Sequence, residues 1–382
     1  MHRSLLFIVT LLALLAAPVA AQEATPGAMP QNSALTTVAS GLITPRGFLW
    51  TADGTLYVAQ AGSGGTSLGT PTAPPPVGPF QGGPTASVVR IENGCPVLVV
   101  GGLPSTSDQI GGILGVEDLA VLDGHLYAAV DGGGEAHGNP AQPAGVYRIL
   151  DNGSAELVAD LSAWVRANPV ANMPPDFDPD AAGYGMVADE AAGTLWVGNP
   201  NSGEILSVSL DGTVTRVADL SAGHLVPTMM AADPQGGVYV GYLTAVPFPD
   251  GVAKVSHVAA DGTVTDVWTG LTTVTDVAVG PDGTLYAVEM STGNLEEEPF
   301  LVPGSGRIVR QTGPASAEEV ASGLMFPITI RFGPDGALYV ALPAVGAASG
   351  GGVIARVDGM GTPAAMADMP TCTPVGGAAP AA

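Results

Sequence analysis

Apolar and polar positions along this chain alternate in short runs punctuated by glycine. One phrase recurs: a tight turn, then four or five apolar or aromatic residues. It reads Asp53-Gly54-Thr55-Leu56-Tyr57-Val58-Ala59, then Asp123-Gly124-His125-Leu126-Tyr127-Ala128-Ala129. It returns at Gly193–Gly198, Gly236–Gly241, Asp282–Val288 and Asp335–Ala341, completing six copies. Asp-Gly between apolar runs is a hairpin signal, because glycine adopts positive φ freely and aspartate does so better than most residues. The runs after the turns are rich in β-forming residues.

Each copy is preceded by another apolar run: Phe48–Trp50, Leu119–Val121, Met186–Ala188, Met229–Ala231, Val277–Val279 and Ile328–Ile330. A third run follows each copy, as in Ser87–Ile91 and Gly145–Ile149. In the first five units a fourth comes after a further turn such as Asp211-Gly212 or Asp261-Gly262. The unit is therefore a four-stranded meander, and six of them predict an all-β, six-bladed β-propeller, which protects sheet edges by radial repetition. The sixth unit stops after its third strand, residues 353–357, while a spare strand, residues 35–39, precedes the first. Pairing the two closes the ring. Cys95 and Cys372, the only cysteines, then fall on neighbouring blades and are expected to form a disulfide that clamps the closure.

Loop lengths single out a working face. First–second and third–fourth turns are mostly tight. The long segments lie between second and third strands: Ala61–Thr85, Asp131–Ala144, Leu243–Asp250, Ser291–Ser305 and Pro343–Gly351. The crossover Ser162–Gly183 belongs with them, and its start at 162–168 predicts one helical turn. Elaboration of one face marks it for binding. Residues at strand ends on that face are Arg46, Gln60, Asp131, Tyr184, Thr228, Tyr242 and Thr329, with the oxygen donors Glu117, Asp118, Asn199, Asp276 and Glu289. Hard cations such as calcium take several oxygen ligands, which makes these five the candidate metal set. His137 and His224 lie on the same face and are the candidate general bases. No nucleophile elbow, zinc motif or phosphate loop occurs.

The first 21 residues change the setting. Arg3, the apolar run Leu5–Ala17 and the small residues Val19-Ala20-Ala21 read as a secretory leader cleaved before Gln22. The run is too short to span a membrane, which takes roughly 20 apolar residues. The expectation is a secreted or periplasmic protein with a flexible segment at 22–34, the propeller at 35–359 and a Pro/Ala/Gly-rich tail at 360–382. Only 11 Lys and Arg stand against 35 Asp and Glu, and Lys254 is the sole lysine. Such a surface repels phosphate backbones and anionic membranes, so nucleic acid is excluded as a partner. Asn152-Gly153-Ser154 fits a glycosylation acceptor but also a strand turn.

Several segments together resemble the ScyD/ScyE family. They are Gly41-Leu42-Ile43-Thr44-Pro45-Arg46-Gly47, Gly102-Leu103-Pro104-Ser105, Val226-Pro227-Thr228, the stretch Tyr239–Pro249, and Thr275–Ala278 with Leu285–Glu289. The likeness spans about residues 40–359, and the Tyr242–Pro249 segment is its discriminating part, since NHL and gluconolactonase-like propellers share the repeat phrase. The resemblance implies an exported propeller; the family's activity is not established. Where the family pattern reads Gly-Pro-His-Asp, this chain has Gly115-Val116-Glu117-Asp118. Two functions follow: a binding module for a small molecule, glycan or protein, or a metal-dependent lactonase-type hydrolase. They differ in whether the acidic residues converge on one ion. A quinone-dependent dehydrogenase is disfavoured by the scarcity of cations.

Overall fold

The computed structural model describes residues 35–360, apart from 71–74, 76, 176, 179, 181 and 182, together with 370–377. The leader, the segment at 22–34 and most of the tail lie outside the described residues. Six antiparallel sheets follow one another along the chain, each an up-and-down meander. Five have four strands, and blade one is enlarged by Ser67–Leu68 and Ile113–Leu114. The chain is an all-β, six-bladed β-propeller. Its one described helix, Leu161–Ala167, is capped by the Asp160 carboxylate, which accepts from the Ala163 amide.

The repeated turn phrase works through a side chain. In Asp53, Asp211, Asp261 and Asp282 the carboxylate Oδ1 accepts from the backbone N–H two residues on, at 2.9–3.0 Å. The following Gly54 and Gly212 both have φ +87°. These carboxylates sit in water, and their turn hydrogen bonds lower their pKa values. The Asn152 triplet is another such turn, with Asn152 Oδ1 accepting from the Ser154 amide.

Closure occurs where the spare strand predicts it. Leu35–Leu42 pairs with Gly352–Val357 to complete blade six, in the register Leu35 to Val357 and Thr37 to Ala355. The blades pack through alternate apolar residues, as where Phe48 and Val58 of blade one meet Ala341 and Ile354 of blade six. A disulfide joins Cys95 to Cys372, with the Cα atoms 5.2 Å apart. The tail from there runs along the seam: Val375 O accepts from Gln60 Nε2 at 2.8 Å, and Gly377 O accepts from the Gly102 amide at 3.1 Å.

Candidate functional site

Around the central channel, the strand-entry acids are fully buried and tie blade to blade. Asp118 of blade two accepts from its neighbour Leu119 N and from Met186 N of blade three, at 2.9 and 3.0 Å. Asp276 of blade five accepts from Val277 N and from Ile330 N of blade six, both at 2.8 Å. Arg331 reaches across to both carboxylates. Burial pushes Asp276 up to about 7 against the pull of Arg331, with Asp118 adding to the rise. Burial likewise raises Asp118 and Glu117 against Arg331 and Arg46. Glu117 forms an ion pair with Arg46 at 2.9 Å and accepts from the Gly115 amide. Arg46 also donates to Ala344 O at 3.1 Å, bridging three blades. Room for Asp118 comes from Gly47, where a Cβ would lie 2.0 Å from the carboxylate. The remaining entry residues fasten neighbours: Thr228 Oγ1 donates to Val274 O, and Thr329 Oγ1 to Met229 Sδ.

Residues just past the second strands fasten the crossovers. Gln60 Oε1 accepts from Ile43 N at 2.7 Å, and Glu289 Oε1 from Thr272 N at 2.5 Å. Glu289 pairs with Arg307, while Asn199 donates to Glu204, itself paired with Arg216. Tyr242 is sealed in the core between blades three and four. The five candidate metal ligands therefore do not converge. Among the described residues no three His, Cys, Asp or Glu side chains come together to hold a metal ion. The acids gathered at the channel need a counter-charge, as the sequence suggests, and the chain's own Arg46 and Arg331 stand beside them.

A second acidic group has another fate. On the long-loop face, over blades one to four, lies a pocket of about 540 Å3. Its walls are largely apolar, with Val77 and Phe80 from the blade-one loop, Ile110 and Leu114 from the next crossover, and Leu243 and Phe248 from the blade-four loop. Asp131, Tyr184 and Thr228, three of the predicted face residues, line it, as do His137 and His224. So does Asp178, from the crossover that follows blade two.

The glycine-rich loop Asp131–Ala144 is held inward by close backbone approach. At Gly82 a Cβ would come within 2.1 Å of His137 O, so only glycine lets the blade-one loop lie on this one. His137 is thereby fully buried, not solvated as a loop histidine usually is. Its Nε2 lies 3.0 Å from Asp178 Oδ2, and its ring meets Phe80 edge to face. Its Nδ1 has no hydrogen-bond partner and sits 3.9 Å from Asp131 Oδ1. Burial disfavours the imidazolium, but Asp178, with Asp131 and Asp180 behind it, outweighs that and raises the His137 pKa. Burial pushes Asp131 up to about 7 against the pull of His137, with Glu117 and Asp178 reinforcing the rise. Burial also holds the Tyr184 phenol well above its ordinary range.

Asp178 is fixed in turn. Its amide donates to Asn201 Oδ1 at 2.6 Å, and its Oδ1 accepts from the Asp180 amide at 2.9 Å. Asp180 accepts from the Ala136 amide at 2.8 Å and pairs with Arg166 of the helix at 2.5 Å. Asp178 was not legible from sequence, because 41 residues separate it from His137 and both lie in loops. Arg331 was missed as well, though a lone charge inside the apolar run Ile328–Phe332 is a signal that could have found it.

Comparison with known proteins adds the fold and little more. No protein-family model matches the chain, and no curated protein matches it. Among solved structures, a Thermus thermophilus protein provisionally assigned as an oxidoreductase (glucose dehydrogenase) is 15% identical, with TM-score 0.51, covering 84% of this chain and 98% of its own. A Bacteroides thetaiotaomicron protein of unknown function is 12% identical, with TM-score 0.53, covering 85% and 75%. At these identities the likeness is one of fold: the chain is similar to other β-propellers.

Proposed function

We propose that this chain is an exported binding propeller of the ScyD/ScyE kind, whose ligand enters the long-loop pocket as a small, largely apolar molecule. The observation that carries the reading is the pocket itself: apolar walls from several loops over a few convergent, buried polar groups, in the size range of small-molecule sites, roughly 300–1,000 Å3. The family-like segment Tyr242–Pro249 supplies one wall through Leu243, Val246 and Phe248. The leader-like first 21 residues support export. The metal-dependent lactonase reading is weaker, because the acids it would use pair with arginines and accept from backbone amides.

Nile red, a neutral apolar dye, tests the reading. The wild-type protein is expected to bind it saturably with a blue-shifted emission. The Ala245→Trp variant, which fills the pocket from the blade-four loop, should lose that binding while keeping its melting temperature. Saturable binding of equal strength in both proteins, or none in the wild type, contradicts the proposal.

A further inference from the structure

Counting the charges around the pocket narrows the ligand. Among the described residues, its ionisable lining is Asp108, Asp131 and Asp178 with His137, His224 and Tyr184, and neither lysine nor arginine lines it. The acids just behind are already matched, Asp180 by Arg166 and Glu117 by Arg46. The whole chain carries a formal charge of −24. An anion would therefore enter against both the local and the overall field.

Hydrogen-bond inventory narrows it again. Asp178 occupies Nε2 of His137. In the tautomer with the hydrogen on Nε2, Nδ1 is a bare acceptor. It is fully buried, without a partner, and faces Asp131 Oδ1 across 3.9 Å. That gap is too long for a hydrogen bond between the two. It suits one group that donates to both, each at about 2.8–3.0 Å. A hydroxyl has a single O–H and satisfies one acceptor; an ammonium has several N–H donors and satisfies both. The aromatic residues Phe80, Tyr184 and Phe248 line the same pocket, and aromatic rings attract cations.

We infer that the pocket takes a lipophilic amine, its ammonium donating to His137 Nδ1 and to the Asp131 carboxylate while its apolar body lies against Phe80, Leu243 and Phe248. The inference rests on the binding reading above and names the ligand class of that same site. Binding needs both acceptors free of protons. His137 faces Asp178, Asp131 and Asp180, while Asp131 accepts from the Gly132 amide and faces His137, Asp178, Tyr184 and the Glu117–Arg46 pair, whose Glu117 reinforces its raised pKa. Affinity for an amine should therefore climb as pH rises through neutrality.

Calorimetric titration with 4-phenylbutylamine, 4-phenylbutan-1-ol and 4-phenylbutyrate compares three head groups on one apolar body. At pH 7.5 the amine is expected to bind about tenfold tighter than the alcohol, and the carboxylate more weakly than either. Between pH 5.5 and 8.0 the amine should tighten by about tenfold while the alcohol stays level. Asp131→Asn, nearly isosteric, should bring amine and alcohol within about threefold of each other, chiefly by weakening the amine. If that variant does not fold, the wild-type pH profile still decides. An alcohol as tight as the amine, or a flat amine profile, overturns the inference and leaves the apolar binding reading intact. Failure of Nile red as well removes both.

Discussion

The channel and the pocket both bury acids, and they treat them differently. At the channel, Glu117, Asp118 and Asp276 have backbone amides and arginines on them, and the guanidinium of Arg331 serves two blades at once. At the pocket, Asp131 and Asp178 each accept from one backbone amide, of Gly132 and of Asp180, and flank, in place of an arginine, His137, whose Nδ1 has no hydrogen-bond partner. Burial alone does not mark a site, since the acids of both groups are buried. What differs is the counter-charge: arginine guanidiniums stand on the channel acids, whereas a single histidine stands between the pocket acids. An acid beside a permanent cation holds blades together, whereas an imidazole nitrogen without a hydrogen-bond partner beside a cavity can take a donor from a ligand.

The largest loss of stability is expected at Arg331. Arg331→Leu leaves Asp118 and Asp276 buried without their shared counter-charge and should cost about 3–5 kcal/mol, read as the shift in denaturant midpoint at constant slope. A loss below about 1 kcal/mol would mean that the channel acids are not held by charge. Next comes the seam. Cys372→Ala should cost about 2–4 kcal/mol in the same assay, and reduction of the wild type should reproduce that loss without altering Nile red binding, because the bridge lies away from the pocket loops. Gly134 is a smaller lever: a Cβ there would stand 2.2 Å from Asp180 Cγ. Gly134→Ala should cost about 1–3 kcal/mol, and, by shifting the Asp180–Asp178 support, should weaken dye binding as well.

The subtlest effect is in pH. Asp131 and Asp276, at about 7, and His137 all have raised values in the folded protein. An acid with a raised folded pKa binds more protons folded than unfolded between about pH 4 and 7, so its share of stability is present on the acid side and lost as pH rises through 7. His137, raised above its ordinary value, has the same sign: its share is full below about 6.5 and lost above its folded pKa. Melting temperature is therefore expected to fall from pH 5 to pH 8. Asp131→Asn should flatten that fall while changing stability at pH 5 by less than about 1 kcal/mol. A steeper fall in the variant would reverse the assignment.

Much of the architecture could be read from the chain because it is written in local signals. The turn phrase fixes the hairpins at Asp53, Asp282 and Asp335 through one aspartate and one glycine, and the missing fourth strand of the last unit names its substitute at Leu35–Leu42. Loop length pointed to the face on which Asp131, Tyr184, Thr228 and His137 line a pocket. Which acids do structural work was not legible, because that depends on partners far along the chain: Asp118 meets Arg331 across 213 positions. Position at a strand end puts Glu289 and Asp131 in equivalent places; only their neighbours, Arg307 for one and His137 for the other, separate a fastener from a site.

The central claim is that the pocket, not the acid-lined channel, is where this propeller meets its ligand. Methyl-resolved NMR during titration with 4-phenylbutan-1-ol tests it directly, since the neutral probe reads the apolar walls without relying on charge. The account predicts saturable shifts at Val77, Ile110, Leu114, Val226, Leu243 and Val246, with Met229 and Thr329 of the channel unmoved. Shifts centred on Met229 and Thr329, or none at the pocket methyls, would contradict it.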